Sequence, residues 1–201
     1  MKTTVTRLFD SRAQAESAVR ELETNDIADA DLSIVSGRRS AEETRSFADR
    51  DDHHEHAASG AAKGAGTGGV LGGGVGLLAG LGLLAIPGIG PVVAAGWLAS
   101  TAAGAVIGAA AGGAAGGLLG ALKASGVDEK DAHVYAEGVR RGGTLVSARV
   151  DEADVALVED VLNRQSGIDA ATRGALYREE GWTRFDDNAG PYAGDLADPR
   201  A

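Results

Sequence analysis

Apolar residues recur at helical spacing toward both ends of the chain, and short β-branched or alternating runs flank those stretches. Ala15, Ala18, Val19 and Leu22 fall at i, i+3, i+4 and i+7, the stripe of an amphipathic helix. Ser11, followed by Gln14 three residues later, has the form of a capping box at its start, and Asn25-Asp26 ends it. The β-branched run from Thr3 to Phe9, with imperfect alternation, and Leu32-Ser33-Ile34-Val35, stopped at Gly37, read as flanking strands. The C-terminal part repeats the grammar. A helix begins after Asp128 and runs to about Arg141, where Gly142-Gly143 ends it. Thr144 to Val150 is the clearest strand, with Val146, Ala148 and Val150 on one face and Leu145, Ser147 and Arg149 on the other. Asp151 reads as the cap of a further helix, with Val150 and Val155 as a hydrophobic staple and Val155, Val158, Val161 and Leu162 as its inward stripe. Ser166-Gly167 closes that helix, and Ile168 to Thr172 is expected as a last strand.

Two strand–helix–strand units predict an α+β fold, a split ferredoxin-like sandwich of four antiparallel strands with two helices on one face. Each half alone has too little apolar surface to fold, so the halves are expected to pair. The division is residues 1–37 as the first half, 38–63 as a polar linker, 64–122 as an insertion, 123–172 as the second half and 173–201 as an irregular tail.

The insertion changes the picture most. Between Lys63 and Lys123 lie 59 uncharged residues, holding 20 of the chain's 31 glycines and 15 alanines. Gly64, Gly68, Gly72, Gly76 and Gly80 are spaced by four, as are Gly104, Gly108, Gly112, Gly116 and Gly120, with Gly96 and Ser100 extending the second row. Between the rows, Pro87, Gly88, Gly90 and Pro91 mark a turn. The block therefore reads as a glycine-zipper helical hairpin in which small-xxx-small rows let helix backbones approach closely. In water each such glycine costs about 0.8–1.0 kcal/mol relative to alanine in a helix interior, so either lipid or tight protein packing has to compensate. The arms, 23 residues from Gly64 to Ile86 and 31 from Val92 to Leu122, would be about 35 and 46 Å long as helices. Both lengths satisfy a membrane span.

Composition narrows the function classes. Of 201 residues, 19 are basic and 29 acidic, a net charge of −10, which argues against a nucleic-acid partner. The absence of cysteine removes disulfides, thiolate metal sites and a cysteine nucleophile. Eight aromatic residues are few for one large core, and no secretory signal is visible at the start.

Candidate chemistry is sparse. Gly64-Ala65-Gly66-Thr67-Gly68-Gly69 matches G-x-G-x-x-G but lacks the preceding strand and following acid of a nucleotide site. His53, His54 and His56 cluster in an acidic run without structural-zinc spacing, and a solvated linker is the simpler reading beside metal binding or a pH response. Arg140-Arg141 before Gly142-Gly143 has two readings, an anion site or compensation of a helix dipole. His133 lacks an identifiable catalytic partner, and Trp97 suits either a membrane-interface anchor or the cap of a packed hairpin. No catalytic, cofactor or metal residues are assigned, and an enzyme is not expected.

Arg7-Leu8-Phe9-Asp10-Ser11-Arg12 with Ala15 and Ala18, then Asp31 to Val35, resembles the start of the bacterial heat-induced or general stress protein domain of YflT type. Ile86-Pro87-Gly88-Ile89-Gly90-Pro91 and Gly138 to Val146 resemble glycine-zipper relatives labelled low-temperature-induced or general stress proteins. The resemblance covers roughly residues 3–172 and implies a bacterial intracellular stress-associated protein, with no activity to carry over. The combined expectation is a non-catalytic, cytoplasmic protein that forms homo-oligomers through the zipper, at the membrane face, with the lipid bilayer as a second partner. The alternative is a soluble oligomeric regulatory module that binds a small ligand and buries the hairpin in protein.

Overall fold

Strand β5 (Thr144–Asp151) is hydrogen-bonded on both sides and covered on both faces, and the rest of the chain is arranged around it. The computed structural model describes residues 2–37, 82–86, 88–102, 117–189 and 192. Their sheet has five strands in the order β1-β5-β2-β4-β3, every neighbouring pair antiparallel, with β1 at Lys2–Phe9, β2 at Leu32–Ser36, β3 at Gly82–Ile86 and β4 at Gly90–Gly96. β1 and β2, joined by helix α1 (Arg12–Thr24), therefore run parallel with β5 inserted between them.

One face of the sheet carries α1 and helix α4 (Val155–Arg164). The predicted stripes are the buried ones: Ala15, Ala18, Val19 and Leu22 of α1 and Val158, Val161 and Leu162 of α4 pack on Val5, Phe9, Ile34, Val146, Ala148 and Val150. Two local expectations change. Ser11 precedes α1 without a side-chain capping bond, and a 3-10 turn, Glu152–Asp154, separates Asp151 from α4.

The opposite face, to which the sequence assigned no helix, is covered by helices α2 (Gly117–Ala124), α3 (Glu129–Arg140) and α5 (Ala170–Glu179) and by the helical residues 97–102. Coverage on both sides explains the imperfect alternation of β1, where Val5 and Phe9 face one cluster while Leu8 faces the other. Hydroxyl residues line the centre of this second face. Thr6 Oγ1 and Ser147 Oγ lie 3.0 Å apart, Ser33 Oγ donates to the Ala95 carbonyl at 2.8 Å, and the Tyr135 hydroxyl of α3 donates to the Thr6 carbonyl at 2.8 Å. Each buried hydroxyl thus has a partner, as a dry interior demands.

The insertion departs from expectation where it is described. Residues 82–86 and 90–96 form a β-hairpin, not the converging ends of two helices. The prolines that interrupt a helix there leave a reversal in which Gly88 (φ 75°) and Gly90 (φ 94°) take the left-handed backbone, and Val92-Val93 favours strand on its far side. Pro91 faces Ala85 beyond the stretch of β4 paired to β2, so its missing N–H leaves that ladder intact. Gly96 is no member of a helix stripe: it ends β4 at φ 86°, and a Cβ there would lie 2.2 Å from the Leu32 carbonyl oxygen. The 31-residue second arm is consequently not one helix, because residues 92–96 are strand. Among the described residues no helix is long and apolar enough to cross a membrane.

The expected last strand is also corrected. Ile168 makes a single antiparallel bridge to Leu8, after which Asp169 caps α5 by accepting from the Thr172 N–H at 2.8 Å. Residues 170–179, assigned to strand and tail from sequence, are helical.

Candidate functional site

Of the residues singled out from sequence, Gly64, Gly68, Gly72, Gly76, Gly80, Gly104, Gly108, Gly112 and Gly116 lie outside the described residues, as do Pro87 and the His53, His54 and His56 cluster. Gly120 lies half-buried in α2. Gly88 and Gly90 sit in the β3–β4 reversal and Pro91 in β4. Trp97 donates from Nε1 to the Asp31 carbonyl at 3.1 Å, and the Arg149 guanidinium lies 4.4 Å above its ring, so the indole clamps the chain between α1 and β2 to the end of β4. His133 is half-buried on α3, with Nε2 3.9 Å from Glu129 Oε1; burial and then the charge of Arg184 hold its imidazole below the usual pKa.

Arg140 and Arg141 lead to the densest charge cluster. Glu137, one turn earlier on α3, is fully buried. It accepts from Arg140 Nε and Nη2 and from Arg141 Nε, each at 2.8 Å. Arg141 also donates from Nη1 to Glu180 Oε2 at 2.5 Å. Burial alone would lower the Arg141 pKa, but hydrogen bonds to Glu137 and Glu180 more than offset it and hold the guanidinium above its ordinary value.

Aromatic rings enclose the pair. The Arg141 guanidinium stacks 4.1 Å from the Tyr177 ring centroid on α5 and 5.2 Å from that of Tyr192, and Arg140 lies 5.3 Å from Tyr192. Burial pushes the Tyr177 phenol well above its usual pKa, so it stays protonated and uncharged. One turn before Tyr177, the buried Arg173 pairs with Asp10 at the end of β1.

Tight backbone packing places these groups. Gly142 closes α3 at φ 98°, with its N–H on the Val139 carbonyl at 3.0 Å, and Gly143 N–H reaches Gly138 O at 2.9 Å. A Cβ on Gly138 would fall 2.3 Å from Leu8 Cδ2. A cavity of about 10 Å³ remains between Leu8, Asp10, Gly138, Arg141, Gly143 and Tyr177, room for about one water. Chemically, guanidinium groups pair with oxyanions and stack on tyrosine rings, and here Glu137, Glu180, Tyr177 and Tyr192 take those roles.

Sequence reading located Arg140-Arg141 but not Asp10, Glu137, Arg173, Tyr177 or Glu180. Glu137 was accessible, standing at i−3 and i−4 from the two arginines. The others arrive through tertiary packing. Comparison of the chain with protein-family models, curated proteins and solved structures gives no match.

Proposed function

We propose that this chain is a non-catalytic cytoplasmic protein that works by associating with copies of itself through its glycine-rich segments, the second of which is closed over by protein and not by a spanning bilayer. The observation that carries the reading is the burial of the residues that flank positions 103–116. Ala102 on one side and Leu118 on the other are both buried in the same apolar cluster beneath α3. The fifteen residues between them are long enough for at most about 23 Å of helix, less than the roughly 30 Å of a hydrocarbon core. An excursion that leaves and re-enters one core reaches only about 25 Å even when fully extended. The stretch nevertheless contains Gly104, Gly108, Gly112 and Gly116 in a row of four-residue spacing that Gly120 continues into α2, a pattern suited to close backbone contact.

The frame that presents it reads as split ferredoxin-like: the order Ile168, β1, β5, β2 supports this, with the β3–β4 hairpin added beyond β2. The stress-associated setting rests on the resemblance of residues 7–12 with Ala15 and Ala18, 31–35, 86–91 and 138–146.

Light scattering of the full chain in buffer with and without detergent tests the proposal. A single oligomer whose size is unchanged by detergent is expected. Gly108→Leu or Gly112→Leu should reduce that size, while Ala110→Leu leaves it alone. A monomer in buffer, or chain retained with membranes after a carbonate wash, overturns it.

A further inference from the structure

We propose that residues 180–189, with Tyr192 beyond them, form a displaceable strap over an oxyanion-binding site built on Arg141, and that Glu180 occupies this site as the chain's own stand-in for a carboxylate or phosphate ligand. The inference is independent of self-association.

Charge and burial carry it together. Glu137 is a single carboxylate shared by two guanidinium groups, which leaves one positive charge over in the interior. Glu180 balances it, yet the two members of that pair differ sharply. The Arg141 side chain is 7% exposed and that of Glu180 is 43% exposed. A buried cation is therefore completed by a surface carboxylate, and its demand is met equally by any oxyanion that reaches the same point. The nearby Asp10 does not repel such a ligand, because Arg173 neutralises it.

The path of the chain makes Glu180 removable. It lies at the end of α5, where regular structure stops. Beyond it, Trp182, Phe185, Asp187 and Tyr192 meet the fold. Trp182 meets Tyr177 edge-on at 5.8 Å, Phe185 enters the core, the backbone of Asp187 abuts Gly88, and Tyr192 covers Arg140 and Arg141. Swinging Glu180 aside opens the Arg141 fork while Tyr177 and Glu137 keep the guanidinium in place. The small cavity lined by Gly138 and Gly143 lies against this fork and extends the space a ligand gains. A tethered carboxylate competes at an effective concentration in the millimolar range, so the intact chain binds free oxyanions weakly and loss of Glu180 tightens them.

Isothermal titration of the full chain with sodium acetate and with inorganic phosphate, at constant ionic strength, tests this. Glu180→Gln should bind at least one probe at least tenfold more tightly than the unaltered chain. Tyr192→Ala, which loosens the strap without changing charge, should give a smaller gain for the same probe. Tightening for acetate alone assigns the site to carboxylates, for phosphate alone to phosphate groups, and for both to oxyanions at large; each supports the proposal. Equal affinity in all three proteins, or no saturable binding in either variant, overturns it.

Discussion

Leu8 and Ile168 exchange both of their backbone hydrogen bonds, Leu8 N–H to Ile168 O at 2.9 Å and Ile168 N–H to Leu8 O at 2.8 Å. The bridge ties the link between α4 and α5 to the outer side of β1, just before α5 begins. Ile168→Pro removes one of the two donors. An unmet buried acceptor costs about 1–3 kcal/mol, and that loss is expected in urea unfolding. A variant as stable as the original would mean that the bridge contributes nothing.

Glu137 is expected to be the most sensitive charged residue. Glu137→Gln leaves Arg140 and Arg141 without the carboxylate they share, and removing one partner of a buried ion pair typically costs about 3–5 kcal/mol. Glu16→Gln, on the partly exposed face of α1 where it pairs with Arg12 and Arg20, should cost about 1 kcal/mol or less. Equal midpoints for the two variants in urea would contradict the assignment of Glu137 to the interior.

Gly96→Ala separates strand from helix at that position. In a helix the added methyl is favourable by about 1 kcal/mol. At φ 86°, with the methyl driven against the Leu32 carbonyl, the substitution should instead destabilise by about 2–4 kcal/mol. Gly126 has nearly the same backbone, at φ 88°, but open space around the added carbon, so Gly126→Ala should lose only about 1–2 kcal/mol. Thermal melts of the pair report the difference, and a stabilised Gly96→Ala variant would restore the helical reading.

Asp169 gives the fold a defined acid dependence. Hydrogen bonds from the Thr172 backbone lower its pKa below the ordinary 3.8, against the opposing effect of burial. A carboxyl group whose pKa is lower in the folded state contributes stability that is present above its unfolded value and lost as the pH falls through its folded value. Asp169→Ala should therefore lower the melting temperature at pH 7 and narrow its gap from the unaltered chain below the ordinary carboxylate range. A gap that is constant from pH 7 to pH 2 would exclude this linkage.

What could be read in advance follows from how each element buries itself. α1 and α4 present aliphatic stripes to the core, and periodicity found them. α5 buries Ala170, Arg173, Gly174 and Tyr177 at helical spacing, but an arginine and a glycine in the stripe erase its hydrophobic signal. The β3–β4 hairpin was hidden for another reason: Leu83-Leu84-Ala85-Ile86 and Val92-Val93-Ala94-Ala95 are short continuous apolar runs, which periodicity does not divide between strand and helix, and the glycine rows on either side pointed to helix. In the site, Glu137 and its arginines are neighbours along one helix. Arg173 and Asp10 are 163 positions apart, and Arg141 and Glu180 are 39 apart, so their pairing required the fold.

The central position of β5 sets a schedule for the chain as it is made. Ser36 at the end of β2 meets Thr144 at the start of β5, 108 positions later, and β1 finds its partner in the same strand. At about 5–20 residues per second, the first two strands leave the ribosome several seconds before the strand that belongs between them. During that interval their inner edges have no native neighbour, and the uncharged glycine-rich stretch emerges beside them. Folding is consequently dominated by late, long-range closure, and the nascent chain, more than the finished protein, is the state in which misassembly between copies threatens.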